Sequence, residues 1–191
     1  MNADQFVSKI RELKQLFPDD SIAARLIIAE KSAVEPMYDD PLLDLMHRYD
    51  LSKTDWSIIS FNSGIYEMDL MYDEDNVIFN KLYYYLGSFN EGWFVLSKAS
   101  KEVLNIAEDD ILIEHNNTCS YMALNSETFL DTLYCNIEYC VGNDEKYTQD
   151  SLNSHIMDII EYSGGLKYAR FWTSYILESL AEYYHLTLPD L

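Results

Sequence analysis

Positive charge is what this sequence most lacks. It has 13 Lys and Arg against 33 Asp and Glu, a net charge of −20 over 191 residues. None of those cations falls between Glu102 and Glu145, a stretch with ten acids. A surface of this sign repels phosphate backbones and attracts basic partners. Nucleic acid is therefore not an expected ligand, whereas a protein that binds nucleic acid is a plausible one. Cysteine is scarce as well. Cys119, Cys135 and Cys140 are an odd, low count, as expected of free thiols in a reducing cytoplasm. Long apolar runs are missing: the longest, Ile22 to Ala29, contains Arg25. A membrane helix needs about 20 apolar residues, so none is expected. The N-terminal MNADQFVSKIRELKQLF reads as an amphipathic helix and not as a secretory signal. The six glycines, at 64, 87, 92, 142, 164 and 165, are spaced for neither a P-loop nor a dinucleotide fingerprint. Neither G-x-S-x-G nor H-E-x-x-H occurs.

What the chain does have is aromatic and aliphatic bulk. It carries 16 Tyr, 8 Phe and 3 Trp, and 48% of its residues are hydrophobic. That composition is globular, and a chain of this length should bury about 70% of its unfolded surface. The acidity is regional. Glu35 to Asp75 contributes −9 and Glu102 to Glu145 contributes −10, while residues 1–34 balance.

Periodicity predicts helices, then strands, then helices. Asp4 is the expected cap of a helix to Phe17, with Phe6, Ile10, Leu13 and Phe17 on one face. Ser21 to Glu30 leans helical. Asp40-Pro41 is a helix start, with Leu42, Leu45, Met46 and Tyr49 apolar behind it. Strands are expected at Trp56–Phe61, Tyr66–Tyr72, Val77–Leu86, Trp93–Ser97, Glu102–Ala107, Ile111–His115 and Ser120–Leu124. Asn62-Ser63-Gly64 reads as a turn and Gly87 to Gly92 as a hairpin connection. Asn125 or Ser126 caps the next helix, whose buried stripe is Phe129, Leu133, Ile137 and Cys140. Two further helices, Ser151–Tyr162 and Leu166–Tyr184, flank Gly164-Gly165. The second should bury Tyr168, Trp172, Tyr175, Ile176, Ser179 and Leu180. Consecutive strands with short connections and segregated helices imply an α+β fold. Its largely antiparallel sheet has five to seven strands, between N-terminal and C-terminal helices. One domain over 1–191 is expected, with 147–191 a helical extension packed on it.

Chemistry-bearing motifs are few. His115, Cys119, Cys135 and Cys140 could together offer four soft ligands to zinc. Their H-x3-C and C-x4-C spacings fit no known pair, and buried free thiols are the better reading. Asp19-Asp20, Asp39-Asp40 and Asp109-Asp110 sit at turns and helix starts, where capping explains them. Asp73-Glu74-Asp75-Asn76 clusters oxygens without the Gly-containing pattern of a calcium loop. His47, His155 and His185 fall on predicted helices with no Ser or Cys tied to them. No enzyme activity, cofactor or metal is expected. Tyr83-Tyr84-Tyr85 fits a strand face, and also an interface.

Several segments resemble the SUKH superfamily of bacterial immunity proteins. They are Tyr85-Leu86-Gly87-Ser88, Gly92-Trp93-Phe94-Val95-Leu96, Val103-Leu104-Asn105-Ile106 and the capped Leu124-Asn125-Ser126-Glu127-Thr128-Phe129-Leu130-Asp131-Thr132-Leu133. Pro36 to Tyr49 is similar to the family's early helix, and Asn62-Ser63-Gly64 to its Asn-Gly turn. The resemblance covers about residues 36–140 and leaves Tyr147 to Leu191 aside. These patterns shape a fold and carry no catalytic residues. The resemblance implies a cytoplasmic protein that binds and neutralises a cognate toxin, often a nuclease. A basic cleft built for phosphates is a natural target for an acidic inhibitor. The expected toxin-binding residues are Asp73, Glu74, Asp75, Glu108, Asp109 and Asp110 at the sheet rim, with Tyr72 and Tyr84 as exposed anchors. The alternative is a non-catalytic regulatory module on the same scaffold. The sequence leaves the oligomeric state open.

Overall fold

Side-chain caps set where five of the described α-helices begin. In the computed structural model, which describes residues 1–31, 38–54, 59–67, 82–89, 92–107, 119–142, 146–189 and 191, α1 runs Ala3–Leu16. Its cap is Asn2, not the expected Asp4: the Asn2 side chain accepts from Gln5 N–H, and the Gln5 side chain accepts from Asn2 N–H in return. The segment expected to be helical from Ser21 splits into α2 (Ser21–Arg25) and the short strand β1 (Ala29–Glu30). Asp40 caps α3 (Pro41–Arg48) as its sequence indicates, accepting from the N–H groups of Leu42 and Leu43. The chain then enters β2 (Tyr49–Asp50), which pairs with β1.

Five strands form the main sheet: β3 (Ile59–Glu67), β4 (Tyr83–Phe89), β5 (Gly92–Ser97), β6 (Val103–Ala107) and β7 (Cys119–Ala123). Their order is sequential and every neighbouring pair is antiparallel. One expected turn lies inside a strand, and the expected Gly87–Gly92 connection joins β4 and β5 as a hairpin with both glycines inside the strands. Asn62-Ser63-Gly64 belongs to β3, at the register shift between Phe61 and Tyr66. Gly87 belongs to β4 and faces Phe61, where a Cβ would collide with the Ser60 carbonyl. Glycine is required there by close backbone approach, not by a turn. The strands expected at Tyr66–Tyr72, Val77–Leu86 and Ile111–His115 lie wholly or partly outside the described residues.

Asn125 caps α4 (Ser126–Cys140), α5 spans Gln149–Ser163, and Gly164 ends α5 in the left-handed conformation. The last expected helix is α6 (Leu166–Trp172), a π-helical turn (Thr173–Leu177) and α7 (Glu178–Tyr183). The π turn re-phases the buried face. Tyr168 and Trp172 are buried as expected, but Leu177 and Ala181 follow them inward, and Tyr175 and Ser179 are exposed.

The helices cover one face of the sheet. Phe61, Leu86, Phe89, Phe94, Leu96, Val103 and Met122 from the strands share one core with Phe6, Leu45, Phe129, Ile156 and Trp172. Helices α5 to α7 are thus part of the main core. Helix α6 packs on β7, where Trp172 Nε1 donates to the Met122 carbonyl at 2.6 Å, and just past β7 Leu124 N–H donates to the Ser163 carbonyl at the end of α5 at 2.9 Å. No helix among the described residues is long and apolar enough to cross a membrane.

Candidate functional site

Of the expected toxin-binding residues, Tyr72, Asp73, Glu74, Asp75, Glu108, Asp109 and Asp110 lie outside the described residues. Tyr84 is described and is half-buried rather than exposed. It packs against the main core, with Lys98 Nζ 4.6 Å from its ring centroid. Its neighbours in β4 point the other way: Tyr83 and Tyr85 join Trp93, Val95, Leu104, Ile106 and Tyr121 on the second face of the sheet.

Many described acids of the two acidic segments are engaged within the fold. Asp40 caps α3 and accepts from Ser126 Oγ at 2.8 Å. Asp44 pairs with Arg48, Glu67 with Lys98, and Asp131 with the N-terminal ammonium, at 2.9, 2.8 and 3.0 Å. Glu102 accepts from Lys167 and from Tyr168 Oη at 2.8 and 2.7 Å. Burial works against its charge, but those bonds and Ser100 outweigh it and hold its carboxyl below the usual range. These acids spend their charge on local cations and donors.

A different acidic surface forms where α4 lies beside α5. Glu138 on α4 and Asp158 and Glu161 on α5 are exposed, and Asp131 is half-buried. Their charges converge on two aromatic groups. Tyr162, 43% exposed, is pushed up by partial burial and by Asp158, with Glu161 and Asp131 contributing. Tyr134 donates to Glu138 at 2.9 Å, and burial with that bond raises its phenol well above the ordinary value. Met157, 63% exposed, stands on the same helix. Cations border this face: the N-terminal ammonium pairs with Asp131, and Lys9 Nζ of α1 lies 4.6 Å from the Tyr134 ring centroid. The sequence did not point here, because 131 and 138 are separated from 158 and 161 by the Gly142 break.

The chain matches no family model, no curated protein and no solved structure.

An open groove of about 670 Å3 between β7 and α6 has the opposite character: Lys167 and Arg170 line it, with Tyr121 and Tyr175. Lys167 Nζ sits 3.4 Å from the Tyr121 ring centroid. This groove offers a basic partner nothing.

At the centre of the acidic face a thiol meets an imidazole. Cys135 Sγ on α4 is 3.6 Å from Nδ1 of His155 on α5. His155 is buried at 4% exposure, and its ring stacks on Tyr139 with centroids 3.9 Å apart. Burial pushes the imidazole down to about 4, with Lys146 adding to the effect. Burial also raises the Cys135 thiol to about 12, helped by Asp158 and Glu138 and opposed by Lys9. At neutral pH the pair is therefore thiol and neutral imidazole. Among the described residues, the thiols weighed as soft zinc ligands do not cluster with one another. Cys119 is on the second face of the sheet, Cys140 lies 1.4 helical turns beyond Cys135, and His115 is outside the described residues.

Proposed function

We propose that this chain is a cytoplasmic, non-catalytic immunity-type protein that binds and neutralises a basic cognate toxin. The observation that carries this reading is the acidic, tyrosine-bearing face of α4 and α5. Glu138, Asp158 and Glu161 supply field there, and Tyr162 and Met157 supply contact area. Charge of one sign speeds encounter with an oppositely charged partner, and exposed aromatics serve as anchors once the surfaces meet. The α+β scaffold and the segment patterns similar to SUKH proteins add the toxin to this picture.

The test is binding and inhibition of the product of the adjacent gene, followed by association kinetics across a salt series. We expect the on-rate to fall on the order of tenfold between low and high salt. The double variant Glu138→Lys/Glu161→Lys should lower the on-rate at low salt. Tyr162→Ala should raise the off-rate and leave the on-rate nearly unchanged. An on-rate indifferent to salt and to both charge reversals would sink the electrostatic reading. Failure to bind or inhibit the neighbouring gene product would sink the immunity reading itself.

A further inference from the structure

Cys135, His155 and Asp158 come from two packed helices, and one ligand atom of each lies within 4.8 Å of the others. His155 and Asp158 are three apart on α5, so they project from one side of that helix. Cys135 reaches them from α4.

The imidazole is oriented by Asn136, which is itself fixed by a second hydrogen bond. Asn136 Nδ2 donates to the Thr132 carbonyl at 2.8 Å, which leaves Asn136 Oδ1 as an acceptor 3.2 Å from His155 Nε2. Nε2 therefore carries the ring proton, and Nδ1 presents its lone pair to Cys135 Sγ. Metal-bound histidines are held in this way, with the distal ring nitrogen donating to a fixed acceptor.

The spacing also fits. With zinc–sulfur and zinc–nitrogen bonds of about 2.3 and 2.05 Å, a tetrahedral angle sets the two ligand atoms about 3.6 Å apart. Cys135 Sγ and His155 Nδ1 are 3.6 Å apart. The exposed Asp158 carboxylate lies within 4.8 Å of both ligand atoms and would have to move closer to bind with them.

We propose that Cys135 Sγ, His155 Nδ1 and a carboxylate oxygen of Asp158 form a binding site for a borderline-soft divalent cation of the zinc type. Thiolate and imidazole together select such ions over calcium and magnesium. Binding replaces the contact between thiol and imidazole. The metal forms bonds to sulfur and Nδ1, the S–H bond breaks, and its proton leaves to solvent. Three protein ligands leave a fourth position for water or for a group from a partner. The site shares Asp158 with the proposed toxin-binding face, but it stands or falls with metal binding alone.

Cobalt(II) titration of the purified, reduced and chelator-stripped chain tests it. The expected result is one equivalent of Co2+ with a thiolate-to-metal charge-transfer band and the visible bands of a tetrahedral ion, both lost on adding Zn2+. Cys135→Ser should abolish the charge-transfer band. Asp158→Asn, at an exposed position, should weaken binding. Asn136→Ala should weaken it about 10- to 100-fold. Cys119→Ser and Cys140→Ser should leave the spectrum unchanged, and far-UV circular dichroism establishes that each variant is folded. An undiminished charge-transfer band in folded Cys135→Ser, or no band with millimolar Co2+, would overturn the assignment.

Discussion

Asp20 joins two distant parts of the chain through one carboxylate. Oδ1 accepts from the N–H groups of Ile22 and Ala23 at 2.8 and 2.9 Å, and Oδ2 from Gly142 N–H at 2.9 Å. Burial works against its charge, but the three N–H bonds, with Lys146, outweigh it and leave the folded carboxyl below its ordinary value of 3.8. The unfolded chain therefore takes up this proton at higher pH than the folded one. The stabilisation is complete above the unfolded pKa and is lost as pH falls through the folded one. Asp20→Asn keeps a capping oxygen but sets an amide NH2 against Gly142 N–H, and should cost about 1 kcal/mol at neutral pH. It should also flatten the acid side of the stability profile. Urea unfolding at pH 7 and near pH 3 measures both; equal losses at the two pH values would contradict the assignment. The Asp19-Asp20 pair reads in sequence as turn chemistry, and the structure agrees for Asp20. The bond from Gly142, 122 residues away, has no local signature.

At the scale of elements, alternation and capping carried most of the information. The short apolar run of Trp93 to Ser97 and the Asn125 cap both became the expected elements. The errors came from glycine and from helix period. Gly87 has the look of a turn residue, yet it sits in β4 because Ser60 approaches too closely for a side chain. Gly87→Ala should destabilise the fold by about 1–3 kcal/mol, the usual cost of forcing atoms into a packed site. The expected readout is a lower urea midpoint with an unchanged slope; a neutral result would mean that the two strands can part there. The π turn escaped a 3.6-residue template. A wider turn carries one extra residue, so every buried position after Thr173 shifts. Neither Thr173-Ser174-Tyr175 nor its neighbours bear a local sign of it.

For the whole molecule, charge and core pull in opposite directions. A net charge of −20 repels itself in the compact state, while the single large core holds helices from both ends of the chain against one sheet face. Salt screens that repulsion, with a Debye length falling from about 30 Å at 0.01 M to about 10 Å at 0.1 M. Thermal stability should therefore rise as NaCl is added over this range. A Tm that is flat or falls in a thermal scan would mean that ion pairs such as Lys167–Glu102 outweigh the net repulsion.

By itself the sequence determined the fold class, the capped helices, the consecutive antiparallel strands and the sign of the field. These follow from short-range patterns: period-2 and period-3.6 apolarity, side-chain oxygens beside free N–H groups, and simple charge counts. Only the tertiary structure decided which charges are spent and which are offered. It turned Tyr84 inward, paired Glu102 with Lys167, and brought Glu138 beside Asp158. It also set Cys135 against His155, a contact between residues 20 apart on different helices. That meeting depends on how α4 and α5 cross. The crossing is set by packing of side chains distributed along both helices, and no local run of residues encodes it.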